Sequence, residues 1–338
     1  MSTRLSLYFT APCQVEIRPE LLSDPSPGEV QLHMLLSAIS PGSEMLVYRG
    51  QYPSELTLDE NIAALGGGFS YPLKYGYCAV GQVEALGEGV DPGWLGRRVF
   101  AFNPHESRFN APVDSLIPLP QDITPERAVF LPNMETAVNL VMDGAPIIGE
   151  RAIVLGQGIV GLLTAALLGR FPLERLVTLD RYPLRRQASL DVGAHASLDP
   201  DDAETQRRLR SWMPDGADLC YELSGAPQAL DDAIALTGFD GRVMIGSWYG
   251  DKRASLNLGG RFHRARIRLI SSQVSTIAPT FSGRWTKARR FAIAWEMLRL
   301  VQPERFITQR FPIQESAQAY RLIDQHPQET IQVVLAYD

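Results

Sequence analysis

The sequence predicts an α/β chain in which a doubly wound parallel sheet follows a β-rich segment and precedes a short mixed tail. Three observations predict it. Strand-like and helix-like runs alternate from Thr124 onward. A run of buried-strand residues leads through Gly156-Gln157-Gly158-Ile159-Val160-Gly161 into an apolar helix. Residues 1 to about 120 instead carry short strand-like runs separated by Gly and Pro.

The opening stretch MSTRLSLYFTAPCQVEIRPE alternates apolar and polar residues and then turns charged, which reads as a strand pair rather than a leader peptide. Strands are expected at Glu29–Leu36, Gly76–Leu86 and Arg98–Phe102, with turns at Pro27-Gly28 and Asp91-Pro92-Gly93. Pro125–Asp143 reads as one helix, with Thr124 as N-cap and Pro125 at its first position. Strand and helix then alternate: Arg151–Leu155 and Gly158–Gly169, Leu176–Asp180 and Pro183–Leu190, Asp218–Glu222 and Pro227–Leu236, then Arg242–Ile245. Crossovers of this kind build parallel sheets. The tail offers helices at Thr286–Leu300 and Glu315–His326, and a strand at Ile331–Ala336 that is expected to rejoin the N-terminal sheet. The expected domains are 1–122, 123–275 and a return over 276–338.

A chain of 338 residues accommodates two domains. With 45% hydrophobic and 21% charged residues it has the composition of a globular protein. The net charge of −6, from 32 basic and 38 acidic residues, gives no support for a nucleic acid or an anionic membrane as partner. No run of about 18 apolar residues is present, so no membrane span is expected. Cys13, Cys78 and Cys220 are odd in number and far apart, which argues against a disulfide framework and for a reducing, cytoplasmic setting.

The glycine turn carries the chemistry. Gly156 permits a tight turn, Gly158 lets backbone approach a pyrophosphate, and Gly161 lets the helix pack on the strand. Free N–H groups of Ile159, Val160 and their neighbours then face an anion, aided by the helix dipole. A second strand ends in Asp180, near the expected offset of about 20 residues, where a carboxylate accepts ribose hydroxyls and repels a 2′-phosphate. The turn reads as a Rossmann dinucleotide site, NAD favoured; Arg181, Arg185 and Arg186 keep NADP open. Ser224, Gly246 and Ser247, at two later strand ends, are expected to border the cofactor.

Four further stretches, LLSAISPGSEM, KYGYCAVGQVEALGEGV, GRRVFAF and ETAVNL, extend the pattern over nearly the whole chain. Together with the glycine turn they resemble the medium-chain dehydrogenase/reductase family. The resemblance implies a GroES-like β-rich catalytic domain beside the Rossmann domain. SPGSE, KYGY and FNPH resemble the branch containing bacteriochlorophyllide dehydrogenases, which implies a bulky substrate such as a pigment precursor. The departures bear on mechanism. The family's zinc cysteine falls at or next to Ser40, its zinc histidine on Tyr77 and the neighbouring glutamate on Cys78, and the four-cysteine lobe is missing. Zinc takes Cys, His or carboxylate ligands, so no zinc is expected.

By the same likeness Thr136 stands beside the nicotinamide, Ser43 is the relay hydroxyl and Glu44 the carboxylate after it. Tyr77 takes the place of the metal ligand as a hydroxyl donor. His105, in the loop FNPHESRFN, is the expected general acid–base group. The expected function is hydride transfer between NAD(P) and an alcohol/carbonyl pair, with a small-molecule substrate and a homodimer formed through the strand Arg266–Ser271. A zinc-free enone or quinone reductase and a non-catalytic dinucleotide-binding protein are the alternatives.

Overall fold

The computed structural model describes residues 2–53, 55–57, 62 and 65–337. It divides into two compact units, Met1–Leu131 with Gln302–Asp338, and Pro132–Val301.

The first unit opens with β1 (Ser2–Ala11) and β2 (Gln14–Leu22), an antiparallel hairpin turned at Cys13, whose φ is +60°. It continues with β3 (Glu29–Ala38), α1 (Ser43–Arg49), β4 (Ala79–Leu86), β5 (Arg98–Ala101), β6 (Arg108–Pro112), β7 (Ile117–Pro118) and α2 (Pro125–Ala128). In the second unit α3 (Leu131–Gly144) leads into β8 (Arg151–Leu155), α4 (Ile159–Leu168), β9 (Arg175–Leu179), α5 (Pro183–Asp191), β10 (Ala196–Leu198) and α6 (Ala203–Trp212). Then come β11 (Ala217–Glu222), α7 (Pro227–Leu236), β12 (Thr237–Ile245), β13 (Arg268–Ser271) and α8 (Lys287–Val301). The chain returns to the first unit through β14 (Ile307–Pro312), α9 (Ser316–Gln325) and β15 (Gln332–Ala336).

In the first unit the main sheet runs β14-β15-β3-β4-β5-β7, with β6 also paired to β3. The last strand rejoins the first sheet as expected, Leu335 facing Ser37 in antiparallel register. Leu32 and Met34 of β3, Phe9 of β1, Tyr320 of α9 and Leu335 of β15 share one core. The second unit is a parallel sheet of order β10-β9-β8-β11-β12-β13. Numbered from β8, this is the order 3-2-1-4-5-6 of a doubly wound dinucleotide fold, whose direction reverses between β8 and β11.

Three expectations change. The single helix over 125–143 is two helices, parted at Val129 and Phe130. Pro132 lacks an N–H and its ring opposes the carbonyl four residues back, so a continuous helix is excluded there. The domain boundaries at 123 and 276 move to 132 and 302. The second shift has a visible cause: Arg290 of α8 is fully buried, with its guanidinium on Glu135 (2.7 and 3.0 Å) and Asn139 (2.6 Å) and on the carbonyls of Thr276 and Val274. A charge so placed holds α8 to α3. Finally, β4 begins at Ala79, leaving Gly76, Tyr77 and Cys78 in the loop before it.

Tyr221, central in β11, is fully buried, and its hydroxyl has no partner among the described residues. Such a group carries a desolvation cost of about 1–3 kcal/mol. Tyr221→Phe is therefore expected to leave stability unchanged or raise it by about 1 kcal/mol in urea unfolding; a loss of that size would show that the hydroxyl is satisfied.

Among the described residues no helix is long and apolar enough to cross a membrane.

Candidate functional site

In the second unit, Gly156, Gln157 and Gly158 carry the chain from the end of β8 into α4. Gly156 has φ +90°, and a Cβ on it would come within 2.6 Å of the backbone of Ser224, just beyond β11. The turn thus lies where the strand order reverses, the place where open α/β sheets leave a crevice at the carboxyl ends of their strands. A Cβ on Gly161 would fall 1.9 Å from the Gly156 carbonyl oxygen, so α4 is seated directly on the turn. Gly158 has nothing within 4 Å of its Cβ position. Ile159 and Gly161 are buried, whereas Gly158 and Val160 reach the surface. The first bond within the helix is Leu162 N–H to Gly158 O at 2.9 Å. The amides of Ile159, Val160 and Gly161 therefore lack a carbonyl one turn back and form an anion seat.

Two residues expected at the cofactor also brace this turn. The Gln157 side chain folds inward and donates to the carbonyls of Gly156 (2.9 Å) and Val154 (3.3 Å). Its amide donates to Asp180 Oδ2 at 2.7 Å, while Asp180 Oδ1 accepts from Tyr182 N–H at 2.9 Å. Asp180 thus ties the end of β9 to the glycine turn. Each carboxylate oxygen keeps a further lone pair for a ribose hydroxyl. Of the basic residues that follow, Arg181 pairs with Asp201 at 2.9 Å. Arg186 donates to the Asp180 carbonyl (2.8 Å) and to Asp199 (3.0 Å). Arg185 lies over the Tyr182 ring, and burial lowers its pKa.

At the neighbouring strand ends the organising residue is Glu222, which the sequence analysis missed. It is fully buried. Its Oε1 accepts from the Ser224 N–H (2.8 Å) and hydroxyl (2.5 Å), and its Oε2 from Tyr249 (2.5 Å). Ser247 Oγ accepts from Gly225 N–H at 2.9 Å and donates to the Glu222 carbonyl at 3.3 Å. Ser224 and Ser247 are thus first of all loop anchors. An acid closing the strand directly after the apolar run Leu219–Tyr221 was the available signal. Gly246 is a packing position, since a Cβ there would meet Leu140 and Leu223 within 2.6 Å. The Thr136 hydroxyl donates to Pro132 O one turn back, at 2.9 Å.

In the first unit five separate segments converge. The turn after β3 and the start of α1 bring Ser40, Ser43 and Glu44; the loop before β4 brings Gly76 and Tyr77; the loop between β5 and β6 brings His105. Helix α9 adds Tyr320 and the chain end adds Tyr337. Glu44 and His105 are both fully buried. Glu44 Oε1 accepts from Ser40 N–H (2.8 Å), and Oε2 from His105 Nε2 (2.9 Å) and Tyr320 (2.6 Å). His105 Nδ1 lies 2.7 Å from Ser37 Oγ, which lies 2.7 Å from the Tyr337 hydroxyl. Gly76, at φ +128°, lets its loop pass over the imidazole, whose Cδ2 would be 2.8 Å from a Cβ at that position.

His105 is therefore not the loop residue reaching for substrate that the sequence suggested. Both of its nitrogens are engaged and no ring edge is exposed, so it holds Glu44 rather than meeting a ligand. Above this pair lie three hydroxyls. Tyr77 donates to Ser40 Oγ at 2.8 Å, Ser43 Oγ stands 3.3 Å from the Tyr77 hydroxyl, and Ser43 N–H donates to Ser40 Oγ at 3.3 Å. Tyr77 and Ser43 are half-buried. Burial pushes the Tyr77 phenol well above its usual range, so it acts as a neutral hydroxyl.

These donors fit a zinc ion poorly. Glu44 is already met by three donors, and burial, with Glu44 beside it, raises the Cys78 thiol well above the thiolate range. The remaining groups are hydroxyls that bond one another. Among the described residues no three His, Cys, Asp or Glu side chains stand together as metal ligands. The residues of the second unit, by contrast, fit a dinucleotide: an open glycine, an amide seat and a carboxylate one strand over.

Residues 159–293 match the family model described as zinc-binding dehydrogenase. Over 98% of its length the chain is 22% identical to starvation-sensing protein RspB of Escherichia coli K12, covering 99% of that protein. It is also 22% identical to D-guloside 3-dehydrogenase of the same organism, over 92% of this chain and 93% of the relative. Among solved structures it resembles a short chain alcohol dehydrogenase (rspB) of E. coli CFT073 complexed with NADH, with a TM-score of 0.81 at 19% identity over the whole of both chains. It also resembles 2R,3R-butanediol dehydrogenase of Bacillus subtilis, with a TM-score of 0.78 at 16% identity, covering 99% of this chain and 100% of the other.

Proposed function

For a chain whose fold and relatives are those of the medium-chain dehydrogenase/reductase family, we propose an NAD(P)-dependent oxidoreductase that interconverts a secondary alcohol and its carbonyl without catalytic zinc. The observation that carries this reading is the glycine turn at the strand-order reversal, closed from below by Asp180. The amides at the start of α4 hold the pyrophosphate. Asp180 takes the adenosine ribose, and because Arg181 and Arg186 already serve Asp201 and Asp199, NAD is the preferred cofactor. When bound, the nicotinamide supplies or takes the hydride.

The first unit carries hydroxyls suited to moving the accompanying proton. Ser40, Tyr77 and Ser43 form a connected set of neutral hydroxyls where the family resemblance puts the metal ligands. Neutral hydroxyls can hydrogen-bond a carbonyl or alcohol oxygen and exchange protons with it. One named relative is a D-guloside 3-dehydrogenase and one structural neighbour a 2R,3R-butanediol dehydrogenase, so a polyol or sugar hydroxyl is the substrate class to try first.

The test is a fluorescence titration with NADH and NADPH, followed by a turnover panel of glycosides, diols, bulky aromatic alcohols, the matching ketones and enones. Saturable NADH binding, weaker NADPH binding and ketone or alcohol turnover that withstands a zinc chelator are expected. No binding of either nucleotide refutes the reading. Enone turnover alone, or binding with no turnover at all, replaces it by reduction of a conjugated double bond or by a purely binding role.

A further inference from the structure

Independently of that reading, we infer that the cavity beside the β1–β2 turn is a thiol–disulfide exchange site, at which Cys13 takes one half of a small, carboxylate-bearing disulfide of the glutathione kind. The cavity measures about 300 Å³ and is lined only by residues of the first unit. That volume is at the lower end of the range for small-molecule sites. The hairpin contributes Thr10, Cys13 and Glu16, helix α1 contributes Tyr48, and α9 contributes Arg321. The Cys13 side chain is exposed, so one half of a disulfide can enter while the other stays in solvent.

Two features set this place apart from a bare surface thiol. The first is Tyr48. It is only 2% exposed, and the little that is exposed faces the cavity. Its ring is stacked on Tyr320 with centroids 5.4 Å apart, and its carbonyl accepts the Cys13 N–H at 2.5 Å, so the turn and the ring are held together. Burial raises the phenol above its usual range; Cys13 adds to the rise and Arg321 opposes it, so a neutral hydroxyl stands within electrostatic reach of both. The second feature is Arg321, an exposed guanidinium on α9. The cavity's acid, Glu16, is paired with Arg18 at 3.2 Å, whereas Arg321 forms no ion pair among the described residues. A guanidinium fork matches a carboxylate, so Arg321 and the Tyr48 hydroxyl hold one carboxylate of the incoming half. The other two thiols do not compete. Cys78 and Cys220 are buried, which pushes the Cys78 thiol well above its usual range and Cys220 up to about 12.

In the exchange, Cys13 gives its proton to solvent and its sulfur attacks one sulfur of the disulfide. A new S–S bond to Cys13 forms and the old S–S bond breaks. The departing sulfur leaves with the electron pair of that bond and takes up a proton. Cys13 is oxidised from thiol to disulfide and the leaving half is reduced to a thiol, so the small disulfide is the only oxidant required. The corresponding small thiol reverses the step.

The test treats the full chain with oxidised glutathione, with the neutral disulfide of mercaptoethanol and with the cationic disulfide cystamine, and follows adducts by intact-protein and peptide mass spectrometry. Each rate is divided by that of the same probe with free cysteine, which removes differences in intrinsic reactivity. One glutathione on Cys13 and none on Cys78 or Cys220 is expected in the folded chain. The normalised rate with oxidised glutathione should exceed that with the neutral probe about tenfold at low salt, cystamine should be the slowest, and added salt should shrink the spread. Arg321→Gln is expected to abolish the tenfold advantage and leave the neutral probe unaffected. Tyr48→Phe keeps the stacked ring and is expected to slow the glutathione reaction about threefold, the effect of one modest hydrogen bond. Equal normalised rates for the three probes would make Cys13 an ordinary surface thiol and overturn the assignment. So would an undiminished glutathione rate in Arg321→Gln, or an adduct that survives Cys13→Ser. If a variant fails to fold, the charge series and its salt dependence in the unaltered chain decide alone.

Discussion

Gly161→Ala is expected to reduce NADH affinity at least about 100-fold and to lower the melting temperature of the chain. The added methyl would lie 1.9 Å from the Gly156 carbonyl oxygen, where no atom fits. The obstacle is backbone, so no side chain can swing away. Overpacking of this kind costs about 1–3 kcal/mol and more where backbone must move. Relief requires α4 to lift off the turn, which carries the amides of Ile159 and Val160 away from the pyrophosphate. Gly158→Ala is the matched control. Gly158 has extended backbone, φ −66° and ψ −179°, and open space where a methyl would go. Alanine there is expected to leave the melting temperature unchanged and to weaken NADH binding all the same, because the methyl occupies the path of the pyrophosphate. Calorimetric titration together with thermal melts separates the two effects. Full NADH affinity in Gly158→Ala would mean that the diphosphate does not approach this backbone.

The second large effect is expected at Glu44. Replacing it by alanine strands three buried donors, Ser40 N–H, His105 and the Tyr320 hydroxyl, and leaves a cavity where a fully buried side chain stood. Each buried donor left unsatisfied costs about 1–3 kcal/mol, so the three together remove a large part of a typical folding free energy. Glu44→Gln keeps the volume and one acceptor oxygen but turns an N–H toward groups that are themselves donors. It is expected to recover about half of that loss, no more. Urea unfolding of both variants measures this directly. A loss below about 1 kcal/mol for alanine would show that water or a local shift satisfies the three donors.

Much of the second unit was legible in the sequence. The turn at Gly156 demands positive φ, the seat of α4 demands a hydrogen at residue 161, and Asp180 follows from the spacing of one crossover. All of these are local requirements. What was misread there, the helix over 125–143 and the reach of the unit to Val301, turned on one proline and one distant ion pair, Arg290 with Glu135.

The first unit divides differently. The identities of Ser43, Glu44, Tyr77 and His105 were readable, and so was the poor supply of zinc ligands. Their roles were not. Nothing in the order of residues says that 44, 105, 320 and 337 lie within hydrogen-bonding reach, because contacts of such separation exist only once the sheet has closed around them. Burial then decides the chemistry: the His105 imidazole, read from the sequence as a general acid–base group, is enclosed between Glu44 and Ser37 and becomes a brace. The sequence by itself determined the backbone that a dinucleotide requires, because conformational demands are local. Only the tertiary structure decided which polar groups face one another, because pairing and desolvation depend on what the fold brings together.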